Sequence, residues 1–595
     1  MDKKSILAMV LIAIVIILLP YYQQLIVGEK PRDTEKPSEI VSDQKMPSQP
    51  SQDETEKHPI ISDPQHDVFG SPHQSSTTAR EYAVPIFQDT EERTLTIQTN
   101  KIKAVLSNRG GGSLKEYSLL KYSRFDGPYV NLIDPEINNG LNLSFQNQNG
   151  QFINTNDFLF NSNITLPKVY LDRDNSHEII YELQIDNRYL RKKYVFYKDH
   201  YHFDLIISFS DPLNMLLNSR YEIAWLNGLP STEKDHSDDY SYSQVLIYMA
   251  KDLDNYSVSD QGKKERVNLS GSADWLAVRM KYFVTAMINK NPDFSEGVFF
   301  SGEGVKKDGY VQRLYEFGFH NRYANQVGDT LRIYMGPMDH GELAAYKNNL
   351  NKMVMNSGWY ERAFRFISLL ILPVLEFLYS IIPNYGIVII IFSILIKIIV
   401  YPLTKKSYSS MKEMQTIQPL MAEIREKYKD DPQRMNKEMM KLYKDHGVNP
   451  LGGCLPMLLQ MPLLIALFIV FRSTIQLRGA MFIPGWIPDL SLPDTIFVLP
   501  FSLPLYGNEF NLLPILMAVT MIFQSKMTMQ DPKQKAMVYL MPVFMLLIFN
   551  RFPSGLNLYY TMFNLLTIIQ QKYITKVPDK TLVEKKPPAK SKNKK

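Results

Sequence analysis

Apolar and polar positions fall along this chain in distinct regimes. Ile6–Leu19 is an unbroken apolar run, preceded by Lys3 and Lys4 and followed by Pro20, Tyr21 and Tyr22. Its length suits a cleavable signal, but Tyr-Tyr-Gln-Gln stands where a small-x-small site belongs, and apolar residues resume at Leu25. Residues 1–27 therefore predict an uncleaved signal-anchor transmembrane helix with its N-terminus inside. Over residues 28–85 the chain turns to Pro, Ser, Gln and charge, with Phe69 the only aromatic between Glu29 and Arg80. Such a segment buries too little apolar surface to order itself and predicts a disordered tether. Short alternating runs follow, such as Thr94–Gln98 and the series Tyr201, Phe203, Leu205, Ile207, Phe209. Period-two alternation predicts half-buried strands, and residues 86–350 are expected to form one large antiparallel sandwich. Lys198-Asp199-His200 and Asn108–Gly112 are expected to reverse the backbone.

After Leu350 the runs lengthen, to 366–382, 386–402, 451–471, 512–523, 537–549 and 556–569, each near or a little short of the ~20 residues that cross a bilayer. The first carries Ser368, Glu376 and Ser380 at multiples of four, hence on one helical face. Only Pro383-Asn384-Tyr385 separates it from the next run, too little for a comfortable reversal between two spans. If it crossed the membrane, the Lys-rich stretch from Lys405 to Lys444 and the C-terminal tail would face outward, against the positive-inside bias. Residues 358–383 are therefore expected to form an interfacial amphipathic helix. Five spans over 384–574 follow, making six in all, with both termini cytosolic and the sandwich outside. The outer loop Ile475–Gly507 then carries only Arg478 against Asp489 and Asp494.

Residues 404–446, between two of these spans, read as a cytosolic helical hairpin broken at Asp430-Asp431-Pro432. Met411, Met414, Ile417, Met421, Ile424 and Tyr428 step by three and four, as do Met435, Met439 and Leu442. Two readings stand. The arms pack on each other through this stripe, or Met411, Met414, Met421, Met435 and Met439 offer an adaptable docking surface for apolar segments.

Composition alone would have suggested a soluble protein: 66 Lys+Arg against 61 Asp+Glu, a net charge of +5, and a mean hydropathy of −0.20. The segmental pattern overrides that average. The basic tail over 575–595 holds eight Lys against Asp579 and Glu584 from Lys576 on, a net +6, leaving −1 for everything before it. It is suited to ribosomal RNA phosphates, to anionic phospholipid or to enforcing topology. A single Cys, Cys454, excludes an internal disulfide framework and a Cys-ligated zinc site.

Lys397 is the residue that most changes the picture. It lies inside an apolar run, about 9 Å of helical rise from the cytosolic end. A cation at a helix centre costs ~2.5–3.5 kcal/mol, so the position points to function unless its stem snorkels to the headgroups. Ser393 shares its face, and Asn557, Tyr560, Asn564 and Thr567 share another. With Gln460 and Thr520, converging faces would make a wet, positively charged groove.

Several strings then carry a resemblance: Tyr401-Pro402-Leu403-Thr404, Gln418-Pro419, Asn449-Pro450-Leu451-Gly452-Gly453-Cys454-Leu455-Pro456, Gln460-Met461-Pro462, Phe552-Pro553-Ser554-Gly555-Leu556 and Asn564–Gln571. In order and spacing they resemble the YidC/Oxa/Alb family of membrane protein insertases over about residues 384–573. The resemblance implies a polytopic α-helical membrane protein of the inner membrane, with five helices forming the insertase core and a periplasmic all-β supersandwich. It further implies a hydrophilic groove open to cytosol and lipid, with a basic residue at position 397. Many Gram-negative members carry Arg there; Lys397 keeps the charge and loses the bidentate fork. The implied partners are nascent integral membrane proteins, the Sec translocon and, through the tail, the ribosome or anionic phospholipid. No cofactor and no small-molecule substrate are expected.

Enzyme motifs are not found: no Walker A loop, Gly-x-Ser-x-Gly elbow or His-Glu-x-x-His occurs. Gly110-Gly111-Gly112-Ser113 reads as a turn. His200 and His202 read as surface residues rather than a metal pair, and Cys454 as a small packing residue. The competing reading is a transporter whose outer sandwich captures a ligand such as a sugar.

Overall fold

The computed structural model describes residues 86–576 apart from 138, 165, 259–264, 324–327, 449–454, 504–505 and 529–534. The expected signal anchor, the tether, the tail beyond 576 and Cys454 thus lie outside the described residues. The described chain divides into two compact units, one ending at Val354 and one beginning at Met355.

The first unit is built of strands in sheets of ten, six and five. Thr94–Gln98 buries Leu95 and Ile97 and leaves Thr94 exposed, as the alternation predicts. One departure from the antiparallel expectation occurs among the described strands: Thr94–Gln98 pairs in parallel with Lys168–Tyr170. The chain between them builds strands of all three sheets before returning, a crossover long enough for parallel pairing.

The strand His202–Phe209 lies between Arg188–Tyr197 and Asp329–Pro337, in the interior of the ten-stranded sheet. Phe203, Leu205, Ile207 and Phe209 are buried, but so are His202 and Asp204 on the other face. That face is covered. Arg332 grips Asp204 with two bonds of 2.7 and 2.8 Å, Tyr197 donates its hydroxyl to it at 2.9 Å, and the Tyr346 hydroxyl lies 2.8 Å from His202 Nδ1. The surface assignment therefore holds for His200 and fails for His202, whose ring is buried 4.8 Å from that of His200. Among the described residues no three His, Cys, Asp or Glu side chains cluster as metal ligands.

Burial, followed by the charge of Arg332, pulls the His202 imidazole from 6.5 down to about 3. The fold thus keeps the ring neutral where the unfolded chain takes up a proton. Its stabilisation is fully present above pH 6.5 and is lost as the pH falls from 6.5 towards 3. Acidification to about pH 4.5 should cost the first unit on the order of 2–3 kcal/mol through this residue. His202→Gln is expected to remove that loss. Urea midpoints of wild type and variant at pH 7 and 4.5 measure it, and the comparison cancels other titrating groups; a difference unchanged with pH contradicts the assignment.

Asn108–Gly112 reverses the chain between Ile102–Ser107 and Ser113–Leu119. Gly110, Gly111 and Gly112 all take positive φ, 67°, 67° and 100°. The turn sits on the core: Lys192 Nζ donates to Gly110 O at 2.7 Å and to Thr155 Oγ1 at 2.9 Å, and Tyr194 donates its hydroxyl to Gly111 O at 3.0 Å. Burial lowers the Lys192 ammonium to about 7.

In the second unit we label the helices α1 Trp359–Ile381, α2 Tyr385–Thr416, α3 Gln418–Lys427, α4 Pro432–His446, α5 Leu455–Ser473, α6 Leu512–Thr528, α7 Lys535–Phe549 and α8 Ser554–Lys576. By length and composition, Trp359–Ile381 and Tyr385–Pro402 could cross a membrane; shorter apolar helices run over Gln460–Ser473, Leu512–Met527 and Val538–Phe549.

The expected polar stripe of α1 is divided in the structure. Ser368 is buried, donating to Ala466 O of α5 at 3.2 Å, while Glu376 is exposed and accepts from Gln476 at 3.2 Å. Exposed Phe366, Leu370, Phe377 and Ile381 form the apolar outer face. Helix α2 passes through Pro402 without breaking, and the Thr404 hydroxyl donates back to Val400 O at 3.1 Å. The hairpin therefore has a second break besides the expected one, at Ile417, just before Pro419 occupies the first turn of α3.

Ile417, Met421, Leu442 and Val448 form the core of the hairpin, with Met414, Ile424, Met439 and Tyr443 packed against it. Met414, Met421 and Met439 thus join the two arms. Met435 is half-buried, and among the described side chains of the hairpin Met440 and Leu420 are the large apolar groups left exposed; the side chain of Met411 lies outside the described ones.

Candidate functional site: a buried lysine among polar helix faces

Helices α2 and α6 both pack on α8. Lys397 projects from α2 onto α8, where its Nζ donates to Thr567 Oγ1 at 2.6 Å and lies 4.3 Å from the centroid of Phe563. Only 8% of the residue is exposed. Among the described residues no carboxylate pairs with it. The Thr567 hydroxyl is free to accept because its own proton goes to Phe563 O at 2.7 Å. One hydroxyl and one ring face are a thin replacement for the hydration of an ammonium, so the position favours any anion that can reach it.

The other expected residues group unevenly. Asn564 of α8 reaches Thr520 of α6 at 3.5 Å, the long limit of a hydrogen bond. Ser393 is fully buried and donates at 2.7 Å to Ile389 O of its own helix. Asn557 donates to Phe549 O and Phe552 O at 3.1 and 3.3 Å, which closes the turn between α7 and α8. Tyr560 rests edge-on against Phe549, 5.5 Å between centroids. Gln460 is half-buried on α5 and makes no hydrogen bond to this set among the described residues. Asn557 to Thr567 is ten residues of α8, a column about 15 Å long rather than one cluster.

Two contributors were missed in the sequence. Gln570 Nε2 donates to Thr404 Oγ1 at 2.9 Å, a second polar link between α2 and α8. Its place three residues beyond Thr567 was the available signal. The other is Asp494, which the charge count of the outer loop treated only as a charge. It is buried, and its Oδ2 accepts from the first amides of α6, Leu512 N at 3.0 Å and Leu513 N at 2.7 Å, and from Trp486 Nε1 at 3.2 Å. Burial raises its pKa. From the turn between α7 and α8, Asn550 donates to Tyr506 O and Glu509 O at 2.9 and 3.0 Å, and Ser554 at the start of α8 donates to Asp489 O at 3.1 Å. This end of the helices is fastened by polar contacts, whereas the Lys397 end holds an ammonium without a counter-ion among the described residues.

Comparison with known proteins gives the family of the chain. Residues 377–581 match the family model for the 60Kd inner membrane protein, and residues 94–370 match that for the YidC periplasmic domain. The chain is similar to the membrane protein insertase YidC of Prosthecochloris aestuarii, 37% identical over 97% of this chain and 95% of the relative. It is also similar to that of Chlorobaculum parvum, 39% identical over 81% and 82%. An active YidC insertase crystal structure with the first transmembrane domain resolved aligns over 82% of this chain and 95% of that one, at 18% identity and a TM-score of 0.35. The transporter reading draws no support from these relatives. On the sequence relatives and the two family models, the chain belongs to the YidC family of membrane protein insertases.

Proposed function

We propose that the chain inserts integral membrane proteins into the bacterial inner membrane, and that Lys397 is the group that draws the polar flank of an incoming segment part-way across. The observation that carries the role of Lys397 is the Thr567 hydroxyl, its one hydrogen-bond partner among the described residues, on a helix whose nearby Ser393 spends its proton on its own backbone. A carboxylate carried into hydrocarbon costs ~2.5–3.5 kcal/mol. An ammonium ~4 Å away returns ~4 kcal/mol at the effective dielectric of a partly wet site. One lysine therefore offsets about one acidic residue, enough to admit a short flank and too little to hold it once the apolar helix moves into lipid.

Burial of that helix supplies the driving force, so no nucleotide is consumed and no covalent bond is made. The polar column of α8 and its neighbours, with Ser393, Gln460, Thr520, Asn557, Tyr560 and Asn564, lines the route; the fastened Asp494 end closes it. We assign six spans: the signal anchor and five from α2 onward, with α1 in the outer interface, both termini cytosolic and the many-stranded unit periplasmic. The exposed apolar face of α1 is compatible with that seat. The Sec translocon, the ribosome and anionic phospholipid are the proposed partners, and the cytosolic hairpin, whose core is internal, would meet a client through Met440 and Leu420. Purified full-length protein in liposomes, given a single-span substrate and no nucleotide, should produce a protease-protected fragment that empty liposomes do not.

A further inference from the structure

Between α5 and α6 the chain runs out into a two-stranded antiparallel hairpin, Thr495–Leu503 against Gly507–Asn511. Ile496, Phe497, Val498, Phe501 and Leu503 are exposed by 52, 48, 60, 58 and 43%. Successive residues of a strand face opposite ways, so Ile496-Phe497-Val498 puts apolar groups on both faces. Within the hairpin Phe497 stacks on Phe510, 4.5 Å between centroids. From Thr495 to Asn508 there is no charged residue. A lone two-stranded hairpin is marginal in water even with one face covered, and an exposed apolar surface of this kind marks an interaction site.

A folded protein partner would cover one face and leave the other wet. Two apolar faces call for a surrounding apolar medium. The hairpin is rooted where α6 begins: Asp494, directly before it, caps the first turn of that helix, and Asn511, its last residue, directly precedes Leu512. On α6 the exposed Leu516, Val519 and Phe523 continue the apolar surface. A two-stranded ribbon keeps unpaired backbone groups along both outer edges, which bars it from the hydrocarbon centre. Pro500 removes one such donor, and Phe497, Phe501 and Tyr506 suit the boundary between headgroups and chains. We propose that this hairpin lies in the outer interface of the bilayer, with phospholipid on both faces, and so holds the outer loop at membrane level. The proposal rests on the reading of α6 as a membrane span.

The lone Cys454 makes the test direct. In a Cys454→Ser background, a nitroxide is placed singly at Val498→Cys, Phe501→Cys, Val519→Cys on α6 and Lys251→Cys on the exposed surface of the first unit, in full-length protein in phosphatidylethanolamine–phosphatidylglycerol liposomes. Collisional broadening by oxygen and by a water-soluble nickel chelate is then compared. The expected result is loss of most of the nickel broadening at positions 498 and 501 relative to 251, with oxygen broadening kept. Nickel access at 498 and 501 equal to that at 251, with 519 protected, overturns the hairpin proposal alone. Equal access at 519 as well overturns the span reading with it. Protection from both reagents, or spin–spin broadening between copies, means that protein covers the hairpin and also overturns the proposal.

Discussion

Lys397→Glu is expected to abolish insertion of substrates whose translocated flank carries Asp or Glu, while Lys397→Arg preserves it. The reason is electrostatic and local. Nothing acidic pairs with Lys397 among the described residues, so its charge is available to a client. Reversing the sign turns an attraction of ~4 kcal/mol at ~4 Å into a repulsion of similar size. Even after generous screening, that is a loss of more than about a hundredfold for acidic flanks. Arginine keeps the charge and can still donate to Thr567. The readout is the protease-protected fragment in liposomes. A substrate with a neutral flank separates lost electrostatics from lost structure, because it should still insert at a reduced rate. Full activity of the Glu variant on acidic flanks would sink the role assigned to Lys397.

The second large effect belongs to the first unit. Gly112→Ala is expected to destabilise it by about 2–5 kcal/mol, the sum of a left-handed backbone penalty and overpacking in a filled core. Gly112 has φ of 100°, and an added Cβ would enter the ring of Tyr194, which is buried and already fixed by its bond to Gly111 O. Tyr194 has nowhere to retreat, since Tyr181 and Phe203 stand at 5.9 and 5.7 Å from it. Gly127→Ala is the control, as nothing lies within 4 Å of its Cβ position. Urea unfolding followed by the buried Trp225 and Trp275 should show a lowered midpoint for Gly112→Ala alone. Equal midpoints for the two variants would contradict the packing described.

What could be read from the chain was what depends on near neighbours. Alternation placed Thr94–Gln98, turn chemistry placed Asn108–Gly112, and a lysine in an apolar run marked Lys397 because the cost of burying it is intrinsic to the residue. What could not be read depends on groups far along the chain. His202 looks like a surface histidine until Tyr346 covers it, and Lys397 gives no hint that Thr567, 170 residues on, will accept its hydrogen bond. Helical spacing sets the hairpin methionines in a stripe, but only the facing arm decides that Met421 is core and that Met439 packs against it. Net charge over the outer loop hides both the cap made by Asp494 and the apolar strand, Thr495–Leu503, that follows it. The polar stripe of α1 failed in part for a similar reason: Ser368 satisfies its hydroxyl against α5, so its face is turned inward.

The central claim is that a nascent membrane segment passes along the polar column beside Lys397. It is tested most directly by a photoreactive phenylalanine derivative at Tyr560, a near-isostere at a part-buried ring position on α8, with Ser393 as the second site. A ribosome-stalled membrane protein of defined length should crosslink from position 560, and the crosslink should weaken in Lys397→Glu when the flank is acidic. Absence of any crosslink from both positions, in protein that still inserts the same substrate, would contradict the route.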